Sequence, residues 1–369
     1  MKELFATVYD KTLSEVGWID GCSSLLRTYR YRNPGSFVMR IPASPADVAL
    51  MLTGFIIVFS DEPTVGYLIE SVEPAAEFPN VMEVSGRDLR ALFGFRIVPR
   101  CQTVTGTLWN RVYWLIDYNF INPKQNPDLR KIGFIQELPK VVESYRGPQN
   151  TRQFTGDNVL DAIVDMLGTE KYGWKCELNI DEKTITPKFL HGGDKTSTVL
   201  FDDILGSLDN CEYIRDVTNY CTVATIGGEA KEDGSRVFTG IDISGGASGT
   251  YAGFDRRELF VDARDLQSTF TDENGTVTKV KDYEAVLQQR GWEKLLEKKI
   301  KTKITIEPNE SIYQFGKDYE LGDVVSFCSH GQAGISGTAR VAAAECDETS
   351  VKLTMEIITM KTITSEVIE

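Results

Sequence analysis

Apolar and polar positions alternate through much of the first hundred residues. Phe37, Met39 and Ile41 interleave with Ser36, Val38 and Arg40, the period of a half-buried strand with one imperfect position. Tyr29–Arg32 precedes it across Asn33-Pro34-Gly35, a strong turn signal. Phe55–Phe59 is a continuous apolar run that fits a buried strand and is far short of the ~20 residues a spanning helix needs. Further strands are predicted at Val65–Val72 and Val81–Val84. Ser44-Pro45 reads as an N-cap followed by proline in the first helical position, which predicts a short helix through Leu52. Ser85 and Asp88 read as a capping box with Asp in place of Glu, opening a turn in which Leu89, Leu92 and Phe93 share one face.

Beyond residue 100 the period lengthens. Trp109, Val112, Tyr113, Ile116 and Phe120 recur at helical spacing, as do Leu160, Ile163, Val164 and Leu167. A hairpin is predicted from Glu177–Ile180 and Thr184–Leu190. Strands follow at Cys211–Val217 and Tyr220–Ile226, with Asn219 in the turn between them, and at Arg236–Ile243. Residues 244–249 are rich in Gly and Ser and form the best linker candidate. A long helix is predicted over Tyr283–Lys298, then strands near Lys303–Glu307, Asp323–Cys328, Gly337–Ala343 and Val351–Met360. Many strands with helices inserted in groups predict a β-rich α+β fold, not a parallel α/β sheet.

Composition narrows the function. With 41% apolar residues in a chain of 369, cores can form without disulfides or metals. The net charge of -14 opposes binding to nucleic acid phosphates or anionic lipid, and the one basic run, 297–303, reads as the solvated end of a helix. The start of the chain, Met1-Lys2-Glu3-Leu4-Phe5, is not a signal peptide, because Glu3 and Asp10 interrupt any apolar stretch, so folding in a cytoplasm is the default expectation. The seven cysteines are widely spaced and contain no CxxC pair, and read as reduced, mostly buried thiols.

The chemistry-bearing residues give no motif. Nucleophilic catalysis would need His191 or His330, and His330 reads as a loop histidine after Cys328-Ser329. Asp272-Glu273-Asn274-Gly275 lacks the ligand alternation of a calcium loop and reads as a turn. Gly245–Gly249 lacks the ending of a phosphate loop. No catalytic, cofactor-binding or metal residue is assigned, and no cofactor is expected.

Four stretches in order carry a resemblance: Ser24–Tyr31 with Gly35-Ser36-Phe37, Met82–Leu89, Gly253–Leu266, and Tyr319–Val325. Together they resemble the ReqiPepy-type siphovirus tail-protein family, which is similar in turn to the baseplate hub proteins of contractile phages. The third stretch is the most specific.

The resemblance implies a multidomain tail-hub architecture with two β-barrel-like tube domains and inserted α/β outer domains. It divides the chain into an N-terminal tube domain (1–101) completed by strands from 195–243, an inserted outer domain (102–194), a linker and helical segment (244–300) and a C-terminal β-domain (301–369). It implies a structural virion protein, not an enzyme: a homotrimeric hub at the distal end of a tail tube, assembled in the host cytoplasm. The implied partners are other copies of the chain, tail-tube and distal-tail or baseplate proteins, a tape-measure protein and a tip or needle protein. DNA would pass without specific binding, and the chain would not insert into a membrane. The chain ends soon after its last predicted strands, at Glu369, so no appended hydrolase domain is expected. The matched motif residues are Ser85, Gly86, Arg87, Asp88, Leu89, Asp255, Arg256, Arg257, Glu258, Asp262, Arg264, Tyr319, Gly322 and Asp323, read as structural elements at domain junctions. Two other functions stay open at this point: a tail-associated cell-wall hydrolase, motivated by the surplus carboxylates, and a receptor-binding or distal-tail protein, equally rich in strands.

Overall fold

The computed structural model describes residues 5–76, 78–139, 149–231, 234–246, 249–271, 277–331 and 334–362. The Asp272–Gly275 turn, the middle of the 244–249 linker, the first four residues and the last seven lie outside the described residues.

One sheet of 13 strands organises the chain. Its N-terminal half runs from an edge strand, Glu15–Ile19, through Ala6–Tyr9, Ile56–Phe59, Gly66–Ala75, Phe78–Asp88 and Ser36–Pro42 to Ser24–Arg30. Leu25 at one end of this row and Ile19 at the other bury in the same core, together with Phe37, Met39 and Ile41. The row must therefore curl around that core. Alternation also explains the strand at Ile56–Phe59: Ile57 and Phe59 face this core, while Ile56 and Val58 face a second one on the other side. Each such side chain contributes about 1.5–3 kcal/mol on full burial.

The C-terminal half contains Leu208–Asp216, Lys301–Pro308, Val351–Thr362, Ile335–Cys346, Val324–Ser329 and Leu200–Asp202. Its core holds Phe201, Ile304, Ile306, Val325, Phe327 and Leu353, among others. Residues from 195–243, expected to complete the N-terminal sheet, instead send two strands here. Leu208–Asp216 pairs antiparallel with Lys301–Pro308, and Leu200–Asp202 pairs parallel with Val324–Ser329.

The two halves are joined by one long strand. Ile335–Cys346 pairs with Val324–Ser329 along its first part and, beyond an irregularity at Val341/Ala343, with Arg27–Arg30 along its last. A bulge of this kind bends the strand and changes its partner. Among the described residues the row of pairings stays open, with Glu15–Ile19 at one end and Leu208–Asp216 at the other.

An outer unit packs on the second face of the N-terminal sheet. Its helices, Leu108–Ile116 and Val159–Glu170, lie with the hairpin Gly173–Asn179/Thr184–Leu190 around Phe93, Phe120, Phe154 and Trp174. The buried face of the first helix is Leu108, Val112, Leu115 and Ile116; Trp109 and Tyr113, expected inside, are half-buried and stack on each other at 5.0 Å. A peripheral unit sets the helix Tyr283–Glu297 on the sheet of Arg236–Asp242, Val223–Ala230 and Glu258–Asp262. Cys211–Val217 and Tyr220–Ile226, expected to flank one turn, thus belong to different sheets.

Two expectations meet opposite outcomes. Ser44 caps Pro45–Leu50 through the Asp47 amide, as its sequence predicts. Ser85 caps nothing: the strand Phe78–Asp88 runs through it, and Asp88 is itself the cap of the turn Leu89–Phe95. All seven cysteines are free, but only Cys176 is fully buried.

Candidate functional site: the junction at Tyr31

The N-terminal sheet, the C-terminal sheet and the outer unit meet at Tyr31, which is 1% exposed. Its amide donates to Ala342 O at 2.9 Å, and its carbonyl accepts from the Trp174 amide at 3.1 Å. Its hydroxyl donates to Leu190 O at 3.1 Å. The guanidinium groups of Arg32 and Arg340 lie 5.3 and 5.6 Å from the ring centre, within the range where a cation is drawn to an aromatic face. Arg340 also donates to Gly322 O at 2.6 Å. One residue thus bonds all three bodies.

Arg90 ties two of these bodies, the N-terminal sheet and the outer unit. Its Nη1 donates to Arg30 O at 2.9 Å and to Trp174 O at 2.8 Å. Its Nε and Nη2 form a buried pair with Asp88, at 2.6 Å from Nη2. Burial opposes the guanidinium charge, but Asp88 more than offsets it and the group's pKa is raised. The other duties of Asp88 are the Gly35 amide, at 2.5 Å, and the Arg90 amide, at 2.9 Å.

A cleft of about 490 Å³ opens beside these residues, between strand Ser24–Arg30, the hairpin strand Gly173–Asn179 and the loop 310–321. Glu62 sits in it, accepting from Arg27 at 3.0 Å, from the Tyr29 hydroxyl at 2.5 Å and from the Tyr67 hydroxyl at 3.3 Å. The Tyr29 hydroxyl is pushed well above its usual range, by burial first and by the charges of Tyr67 and Glu62 next, so it stays a donor at all ordinary pH. Across the cleft Tyr319 donates to Glu310 at 3.4 Å. The groups here hold one another. That arrangement suits a rigid joint.

Among the motif residues, Asp88, Leu89, Tyr319, Gly322 and Asp323 lie at or beside the junction, and Gly86 lies within the N-terminal sheet. Gly86 lies so close to Leu68 O that a Cβ would stand 1.8 Å from it. Gly322 has φ +92°, and a Cβ there would stand 2.4 Å from the Tyr31 ring. Asp323 accepts from the amides of Gly193 and Glu320 at 2.7 and 3.0 Å, tying the outer unit's exit to the C-terminal sheet. Arg87 pairs with Glu70 across the strands, on the more exposed face.

Ser85 lies in the strand Phe78–Asp88, and the remaining motif residues lie in the peripheral unit. Arg256 pairs with Glu258 at 2.6 Å, and Asp262 accepts from both Arg236 and Arg264. Arg257 donates to Val217 O and lies over the Tyr220 ring. The Asp255 carbonyl accepts from the Thr222 hydroxyl at 2.9 Å. Sequence reading missed Arg90, Arg32 and Arg340. A charged residue buried at a junction leaves no periodic trace, so no local signal marks Arg90.

A curled, strand-rich body of two lobes joined by a shared strand, with α/β units outside it, is a fold found among phage tail proteins. A tail protein from Neisseria meningitidis MC58 has this fold at TM-score 0.52 and 14% identity, over 96% of this chain and 97% of that one. The 43 kDa tail protein of prophage MuSo2 from Shewanella oneidensis has it at TM-score 0.53 and 9% identity, over 97% and 98%. No curated protein matches the sequence. The chain belongs to the Siphovirus ReqiPepy6 Gp37-like protein family, whose profile matches residues 5–353.

Proposed function

We propose that this chain is the hub subunit at the distal end of a tail tube, where three copies form a ring that adapts the sixfold tube to the tail tip or baseplate. Each copy contributes two barrel-like lobes, so three copies present six similar walls around the axis. The observation that carries the reading is the long strand Ile335–Cys346: it sets two lobes side by side while, among the described residues, both ends of the row stay unpaired. An open strand edge is a template for pairing with another chain. One of these edges exposes Trp18 (60%) and the other Ile214 (46%), apolar side chains suited to an interface.

In this reading the junction at Tyr31 keeps the two lobes at a fixed angle, which a ring needs to close. The outer and peripheral units then brace the ring against distal-tail, baseplate, tape-measure and tip proteins. A net charge of -14 favours passage of DNA without retention. The work is geometric and calls for no catalytic group. Electron microscopy of purified tails, with this chain labelled, tests it: three labels at the distal tube end are expected, and labels away from the tail axis would overturn the reading.

A further inference from the structure

Parallel pairing of Leu200–Asp202 with Val324–Ser329 sets Asp202 opposite Cys328. Both strands end at this level, so the next residues, Asp203 and His330, leave the sheet together. His330 Nδ1 lies 2.7 Å from Asp203 Oδ1, and Asp203 Oδ2 accepts from the amides of His330 and Gly331 at 2.8 and 3.1 Å. Cys328 Sγ lies beside the ring, 3.5 Å from Nε2 and 3.8 Å from Nδ1. One donor atom each from Asp202, Cys328 and His330 fall within 4.8 Å of one another. Asp202 is buried and held in place, its Oδ1 accepting from the amides of Ile204 and Leu205 at 2.8 and 2.9 Å.

We propose that Asp202, Cys328 and His330 bind a divalent cation of the zinc class, with Asp203 as the outer carboxylate that orients His330. The donor set is the first reason. A thiolate, an imidazole and one carboxylate suit zinc or cobalt and not calcium or magnesium, which take oxygen ligands. Proximity is the second: one donor atom from each of Asp202, Cys328 and His330 lies within 4.8 Å of the other two, so rotation of the exposed His330 side chain is enough to bring all three onto one ion. The third is the support behind His330. A ligating histidine donates its other N–H to a carboxylate or carbonyl in most such sites, which fixes the tautomer that leaves Nε2 free to ligate.

A plain ion pair between Asp203 and His330 would account for Nδ1. It would not account for a thiol and a buried carboxylate gathered beside the same ring. On binding, the Cys328 thiol gives its proton to solvent, and the thiolate and the Asp202 carboxylate then balance the cation's two charges. His330 is exposed, so the fourth position faces solvent and takes a water. The ion would clamp the end of the three-residue strand Leu200–Asp202 to the C-terminal sheet.

The test uses the full reduced chain, stripped of metal and titrated with cobalt(II), then zinc(II). One equivalent of cobalt is expected to bind with a thiolate-to-cobalt charge-transfer band and tetrahedral visible bands, which one equivalent of zinc removes. Cys328→Ser should lose the charge-transfer band and His330→Ala should weaken cobalt binding at least tenfold. Asp203→Asn should keep the band and weaken binding about 10–100-fold. His330 sits at the surface, so the His330→Ala chain is expected to melt like the metal-free parent, which separates lost binding from lost folding. Absence of one-to-one binding, or a charge-transfer band unchanged by Cys328→Ser, would overturn the proposal.

Discussion

The ring of Tyr31 closes on Gly322 so tightly that a Cβ at residue 322 would stand 2.4 Å from it, at a backbone φ of +92°. Both the overlap and the left-handed conformation exclude other residues. Gly322→Ala is expected to cost about 2–4 kcal/mol, from strain at positive φ together with overpacking. A lowered urea midpoint at unchanged slope would show it. An unchanged midpoint would mean the junction is looser than the contacts imply.

The pair Asp88–Arg90 makes a sharper test because it is buried and bonds the N-terminal sheet to the outer unit. Arg90→Met leaves Asp88 buried without its cation and should cost about 3–5 kcal/mol. Combining it with Asp88→Asn should cost less than the sum of the two single changes, since the two residues act as a unit. A double-mutant cycle on urea midpoints measures this, and simple additivity would contradict it.

The turn joining Ile335–Cys346 to Val351–Thr362 responds to acid. The amide of Thr349 first, then the hydroxyl of Ser350, hold the Asp347 carboxylate and bring its pKa down to about 2. The unfolded value is about 3.9. A depressed folded pKa means that the stabilisation is fully present above about pH 3.9 and is lost as pH falls toward about 2. The Tm difference between the parent chain and Asp347→Ala should therefore be largest near neutrality and shrink between these limits. A constant difference would refute the link.

Trp18 lies on an edge strand that, among the described residues, pairs on one side only, with Ala6–Tyr9. If that edge joins copies of the chain, Trp18→Glu should lower the assembled mass measured by light scattering, while the Tm of the dissociated chain moves by less than a few degrees. Unchanged mass would direct attention to the opposite edge, Leu208–Asp216.

Local structure was readable where burial follows a short period. Phe37, Met39 and Ile41 are buried on one face as their alternation predicts, and the helix expected at Tyr283–Lys298 forms at Tyr283–Glu297. Partner choice was not readable. Arg27 pairs with Cys346, more than 300 positions away, and nothing in either strand's pattern names the other. Ser85 was misread because the strand continues through Gly86, whose missing side chain admits Leu68 O where a capping turn would otherwise start. The metal-ligand candidates were hidden for the same reason: Asp202 and Cys328 are neighbours only through a parallel register. The family stretches marked part of the junction through Asp88, Tyr319, Gly322 and Asp323, but not Arg90 or Arg340.

The most direct test of the hub reading is the symmetry of the assembled particle. Cryo-electron microscopy of intact tails, averaged about the tail axis, should find three copies of this chain at the distal end of the tube, their two lobes alternating as six walls around the channel. A single copy, six equivalent copies or a position off the axis would contradict it.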